Sequence, residues 1–157
     1  MARSEDDPVR SIAKNRRARH DYEILAEYEA GMVLRGSEVK SLRAGRASIQ
    51  EAYVLVKDNG AELIGATIPE YPQAGPHMNH PTDRPRALLL HRRELAALRK
   101  RVTEKGITVV PLELLFRGHL VKLQLGLARG KKLHDKRQTE REREARKEIQ
   151  RAMGRRR

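Results

Sequence analysis

Glu23, Glu27 and Glu29 lie close together in the first periodic stretch of the chain, and a pair of carboxylates is the least that general acid and base chemistry requires. No Ser, His and Asp grouping, metal cluster or Gly-rich loop accompanies them in the sequence, so they read as an exposed strand face and no enzyme is expected. Their oxygens suit hydrogen bonds from the amines or hydroxyls of a partner. His77 and His80 have a spacing open to a metal, but their loop offers no third ligand, and solvated histidines are expected there. Arg129-Gly130-Lys131-Lys132 has the look of a phosphate loop, yet it lacks the Gly-rich turn upstream and leads out of a strand into a charged tail. No catalytic residue, metal or other cofactor is therefore expected.

The cationic side chains carry the stronger signal. Asn15-Arg16-Arg17-Ala18-Arg19-His20 is a basic cluster, and Lys40, Arg43, Arg92, Arg93 and Lys122 fall on outward positions of separate elements, which predicts a contiguous phosphate-binding face. Over 157 residues, 34 Lys and Arg against 21 Asp and Glu leave a net charge of +13, which calls for a polyanionic partner. A membrane surface fits poorly, because the tail lacks the apolar face of an interfacial helix and no stretch approaches the roughly 18 apolar residues of a span. The chain has no cysteine, which removes disulfides, thiolate catalysis and zinc ribbons, and a cytoplasmic location is expected. Four Tyr, one Phe and no Trp are too few for a long stacking track, so folded RNA read by shape suits the chain better than single strands.

The elements that must position these residues follow from periodicity. Residues 1–13 read as a flexible leader, and residues 14–128 as one folded body. Tyr22, Ile24, Ala26 and Tyr28 alternate with charged residues as in a half-buried strand. Ser37 suits a cap for a short helix with Glu38 in its first turn and Gly45 at its end. Tyr53–Lys57 and Leu63–Ile68 read as strands joined through Asp58-Asn59-Gly60, whose Asn-Gly supplies a positive φ. The prolines at 69, 72, 76, 81 and 85 predict a surface loop. Leu95, Leu98 and Val102 predict a helix ended by Gly106. Beyond it the alternation changes phase at Pro111, which predicts a bulge, and Val121, Leu123, Leu125 and Leu127 alternate strictly. About six short strands with two to three helices predict a mainly β fold, a small closed barrel.

Residues 129–157 form a tail with 13 Lys or Arg against 5 Asp or Glu, so it holds +8 of the charge. Its stripe of Ala145, Ile149, Ala152 and Met153 is thin for a helix standing alone in water, and disorder in isolation is expected. In the junction, His134 suits stacking on a base and Lys136 and Arg137 suit phosphate, though a generic linker has the same composition.

The stretches NRRARHDYEI (15–24), EAGMVLRGSEVKSLRAG (29–45), LLLHRREL (88–95) and GLARGKKLHDKR (126–137) resemble the SsrA-binding protein family, also called small protein B, in order and over residues 13–137. The resemblance implies an oligonucleotide-binding-type (OB-fold-like) barrel with appended helices that binds the tRNA-like domain of transfer-messenger RNA. It further implies delivery of that RNA to ribosomes stalled without a stop codon, which is trans-translation, with the tail helical in the empty mRNA channel near the decoding centre. Carried over by motif, the RNA-binding residues are Asn15, Arg17, Arg19, His20, Glu29, Lys40, Leu89, His91 and Lys122. The ribosome-contacting tail residues are Lys131, Lys132, His134, Asp135, Lys136 and Arg137. A monomer is expected. Size, charge and tail alone also fit a structural ribosomal protein or a general RNA chaperone.

Overall fold

The structure, a computed structural model, describes residues 7–131 and 133–155, and the side chains of all of these except 133–135 and 155. Seven strands form one antiparallel sheet: β1 (Val9–Lys14), β2 (Tyr22–Met32), β3 (Tyr53–Lys57), β4 (Gly60–Ile64), β5 (Arg86–Leu89), β6 (Ile107–Arg117) and β7 (Leu120–Gly130). Four α-helices accompany it: α1 (Ala18–Asp21), α2 (Gly36–Arg43), α3 (Arg92–Val102) and α4 (Leu133–Arg155).

The strand order is β1-β6-β7-β2-β5-β4-β3. Bulges interrupt the register of β1 between Ser11 and Ala13, of β2 between Ile24 and Ala26, and of β6 between Pro111 and Glu113. Each adds a residue to one strand and increases local twist, so the sheet coils until β3 packs against β6. The closed barrel expected from the strand pattern is therefore a coiled sheet left open. The reason lies at β6, whose outer edge is already hydrogen-bonded to β1 and cannot also pair with β3.

Inside the coil, the strict alternation of β7 buries Val121, Leu123, Leu125 and Leu127 against Leu114 and Phe116 of β6 and Val54 and Leu63 of the β3–β4 hairpin. Leu42 of α2 and Leu98 of α3, both fully buried, close this core. Because the bulges in β2 and β6 reverse which face each side chain takes, Ile24, Val110 and Leu112 point to the other side. There they form a second small cluster with Ala18, Tyr22 and Ala128. This outer cluster seats α1.

A buried ion pair ties the proline-rich loop to the body. Glu38 and Arg86 are both fully buried, with Arg86 Nε donating to Glu38 Oε2 at 2.7 Å, and Arg84 donates to the other carboxylate oxygen. The backbone N–H of Arg35 also donates to Glu38, at 2.9 Å, while Arg86 donates to the carbonyls of Ala66 and Thr82. Burial opposes the ionised form of Glu38, but the bonds from Arg84, Arg35 and Arg86 together hold its carboxyl below the usual glutamate range.

Several local expectations change. Part of the expected leader is β1, because Ile12 and Ala13 find a place against the main core and the edge of β6 was open to pairing. Arg35 rather than Ser37 stands at the N-cap position of α2, where its backbone N–H donates to Glu38, and the Ser37 hydroxyl is instead 2.8 Å from His80 Nδ1. The hairpin turns at Asp58-Asn59 with Gly60 already in β4, and the positive φ of +82° belongs to Gly65 at the strand's end. The proline-rich segment holds itself together: Asn79 exchanges hydrogen bonds with the Tyr71 backbone at 2.9 and 2.8 Å. The tail forms the continuous helix α4, in keeping with its Ala, Glu, Gln, Arg and Lys content.

Candidate nucleic-acid interface

Two neighbouring surfaces gather most of the candidate residues. On the outer face of the sheet, Glu29 of β2 stands opposite Gln124 of β7, and Gly31 stands opposite both Lys122 of β7 and Leu89 of β5. Leu89 is 61% exposed, an unusual place for a leucine, and the missing side chain at Gly31 leaves a recess between it and the Lys122 ammonium. Glu29 accepts a hydrogen bond from Arg117 Nη2 at 2.7 Å and a longer one from Gln124 at 3.3 Å. These three residues, with Glu27 and Tyr28, line a cleft of about 330 Å³. The site thus presents cations, an ordered carboxylate and one apolar side chain, a set suited to RNA backbone and base edges.

The second surface is the basic turn. Ala18 is buried in the outer cluster, and Asn15 fastens the end of β1 to β6 through its N–H to Leu112 O at 2.8 Å and its Nδ2 to Pro111 O at 2.9 Å. Held from below in this way, α1 turns Arg17 and Arg19 to solvent, with Arg19 paired to Glu27 at 2.5 Å. His20 is more enclosed: Nδ1 lies 2.9 Å from Asp21 Oδ1 and Nε2 lies 2.8 Å from Glu140 Oε1 of α4. The His20 hydrogen bond, opposed by partial burial and aided by Lys136 at 3.6 Å, holds the Asp21 carboxyl below its usual range.

The remaining candidates have other settings. Lys40 of α2 lies over the Tyr71 ring, 5.7 Å from its centroid. His91 is the residue before α3, and its backbone N–H donates to Glu94 Oε1 at 3.2 Å. Arg43, Arg92 and Arg93 are exposed and Lys122 is half-buried, so these outward cations remain at the surface. In the tail, Lys131 donates to Arg19 O at 2.9 Å and to Thr139 Oγ1 at 2.7 Å, and its N–H donates to Asp21 O at 3.0 Å. Lys136 faces Asp21, and Arg137 is exposed. Lys132 lies outside the described residues; His134 and Asp135 fall in the first turn of α4, and their side chains are outside the described set.

Asn15 is only 8% exposed, and its side-chain amide donates to the body at Pro111 O. One structural assignment corrects the sequence reading. His80 is buried rather than solvated: Nε2–H donates to Ile68 O at 2.9 Å and Nδ1 accepts from Ser37, so both ring nitrogens are engaged. Arg117 and Gln124 were missed by motif; the alternation of their strands marks both as outward-facing, but only the register places them beside Glu29.

The family model described as "SmpB protein" matches residues 12–155. The SsrA-binding protein of Acidothermus cellulolyticus is 54% identical over 145 residues, covering 92% of this chain and 91% of its relative. That of Microcystis aeruginosa is 46% identical over 152 residues, covering 97% and 99%. A solved chain described as "tmRNA-SmpB: a journey to the center of the bacterial ribosome" superposes with a TM-score of 0.64 at 47% identity, covering 77% of this chain and 85% of that one.

Proposed function

The chain belongs to the SmpB family, and on that footing we propose that it binds the tRNA-like domain of transfer-messenger RNA and brings it to stalled ribosomes in trans-translation. The observation that carries this reading is the assembly of Glu29, Lys122 and Leu89, distant in sequence, around Gly31 on three adjacent strands. A general polyanion binder needs only cations; an ordered carboxylate and an exposed leucine among them discriminate between RNA shapes. In this reading Arg17, Arg19, His20, Lys40 and His91 extend the RNA-facing surface, while Asn15 holds the basic turn in place.

The tail follows directly from β7, so its position is tied to the RNA-binding sheet. Lys131, Lys132, His134, Asp135, Lys136 and Arg137 are the residues assigned to the small-subunit decoding centre, with the rest of α4 in the empty mRNA channel. The protein acts as a monomer and without a cofactor. Among the described residues no helix is long and apolar enough to cross a membrane.

The test is binding to the tRNA-like domain against a scrambled RNA of equal length, titrated across salt. Both bind at low salt by counterion release, so the preference that survives near physiological salt is the informative quantity. A preference of about a hundredfold or more is expected. Equal affinities that fall together with salt would make the protein a general RNA chaperone.

A further inference from the structure

Where β1 begins, the chain, the β6–β7 turn and the last residue of α2 enclose a groove of about 800 Å³. That is the size of a small-ligand site. Its floor is Phe116, with the Arg10 guanidinium 5.3 Å from the ring centroid. Two hydrogen bonds fix the walls: Arg10 Nη2 donates to Arg43 O at 2.6 Å, and the Gly118 N–H donates to Pro8 O at 2.8 Å. The groove lies on the opposite side of the sheet from Glu29, because Phe116 turns to the core while its neighbour Arg117 turns outward to that carboxylate.

Around this aromatic and guanidinium surface the polar groups are unmet. Asp7 Oδ2 is shut off from solvent and has no hydrogen-bond partner. The side chains of Arg43 and His119 are exposed and form no hydrogen bond or ion pair among the described residues. A carboxylate oxygen withdrawn from water without a donor is costly, so a donor supplied by a ligand offsets a penalty that the fold leaves standing. The occupant therefore needs a flat ring to lie against Arg10 and Phe116, donors for Asp7, and negative charge for Arg43 and His119. A nucleotide combines the three. Among the bases, guanine alone sets two donors side by side, N1–H and the N2 amine, to match the two oxygens of a carboxylate. Adenine and cytosine place an acceptor nitrogen beside their amine, and uracil flanks its one N–H with carbonyls, so each turns a lone pair towards Asp7.

We propose that this groove binds a free guanine nucleotide. The base stacks on the Arg10 guanidinium and donates to the Asp7 carboxylate, and the phosphates meet Arg43 and His119. The site is separate from the cluster around Gly31 and does not depend on it.

The test is equilibrium dialysis of the full chain with labelled GDP near physiological salt, with ADP, CDP and GMP as competitors. GDP is expected to bind at least about tenfold more tightly than ADP or CDP. Asp7→Asn should remove that preference and favour xanthosine diphosphate, whose C2 carbonyl accepts from the new amide. Asp7 precedes the first strand, so the urea midpoint of this variant should match that of the unaltered chain. Arg43→Ala/His119→Ala should weaken GDP roughly fivefold and narrow the gap between GDP and GMP, with guanine still preferred over adenine. Saturating tRNA-like domain should leave GDP bound, since the two sites face opposite ways. Equal binding of GDP, ADP and CDP that falls together with salt is attraction to net charge alone and would overturn the proposal. A guanine preference that survives Asp7→Asn would do the same. Displacement of GDP by the tRNA-like domain would assign the groove to an RNA base, and would overturn it equally.

Discussion

Arg117 of β6 reaches over β7 to hold the Glu29 carboxylate of β2, with its Nη2 2.7 Å from Oε1. The pair spans three strands at the centre of the proposed RNA face and fixes an acceptor among cations. Glu29→Arg places a second guanidinium beside Arg117 and removes that acceptor. RNA affinity is expected to fall about tenfold, or about 1.4 kcal/mol, with stability changing by at most about 1 kcal/mol because the pair is partly exposed. Filter binding and urea unfolding measure the two quantities. Unchanged affinity would remove Glu29 from the interface.

Glu38 makes the opposite kind of contribution, to stability rather than binding. Glu38→Ala leaves Arg86 buried without its anion, and a loss of about 3–5 kcal/mol in unfolding free energy is expected. A loss below about 1 kcal/mol would show that the network relaxes without cost.

The same carboxylate sets an acid limit. Its pKa is lowered on folding, so the stability it contributes is present above the ordinary glutamate range and is lost as pH falls through the lower, folded value. Urea midpoints measured from neutral pH into the acid range should therefore fall more steeply for the unaltered chain than for Glu38→Gln. Parallel curves would contradict this assignment.

Gly65 combines a left-handed φ of +82° with a close approach: an added Cβ would lie 3.1 Å from Glu51 O and 3.4 Å from the Ala52 Cα. Gly65→Ala should cost roughly 1–3 kcal/mol, since neither backbone can move freely. RNA binding by the folded variant should be unchanged. A neutral effect on the urea midpoint would show that the turn rearranges.

In the proposed function the tail and the body divide the work. Truncation after Gly130 removes α4 but no strand of the sheet, so affinity for the tRNA-like domain should stay within about tenfold of the full chain. Rescue of stalled ribosomes should be abolished. Rescue by the truncated chain would refute the role given to the tail.

What was legible in the sequence was what periodicity and turn chemistry encode locally. The phase change at Pro111 marks a real bulge, and the strict alternation from Val121 to Leu127 marks a strand with one buried face. Long-range pairing was not legible. Nothing in residues 9–14 shows that they close the edge of β6, and the sheet stays open as a result. The buried polar groups escaped for a similar reason: Glu38, His80 and Arg86 have the composition of surface residues, and only their mutual partners, far apart in the chain, make burial tolerable. In the candidate site, motif resemblance marked Glu29, Leu89 and Lys122, but Arg117 became visible only through register.

The most direct measurement is release of ribosomes stalled on a message lacking a stop codon, in a purified translation system containing transfer-messenger RNA, with and without this protein. Release that requires both the RNA and the full-length chain, and that weakens with Glu29→Arg, is the predicted result. An equal level of stalled ribosomes with and without the protein, under conditions where it binds the tRNA-like domain, would contradict the account.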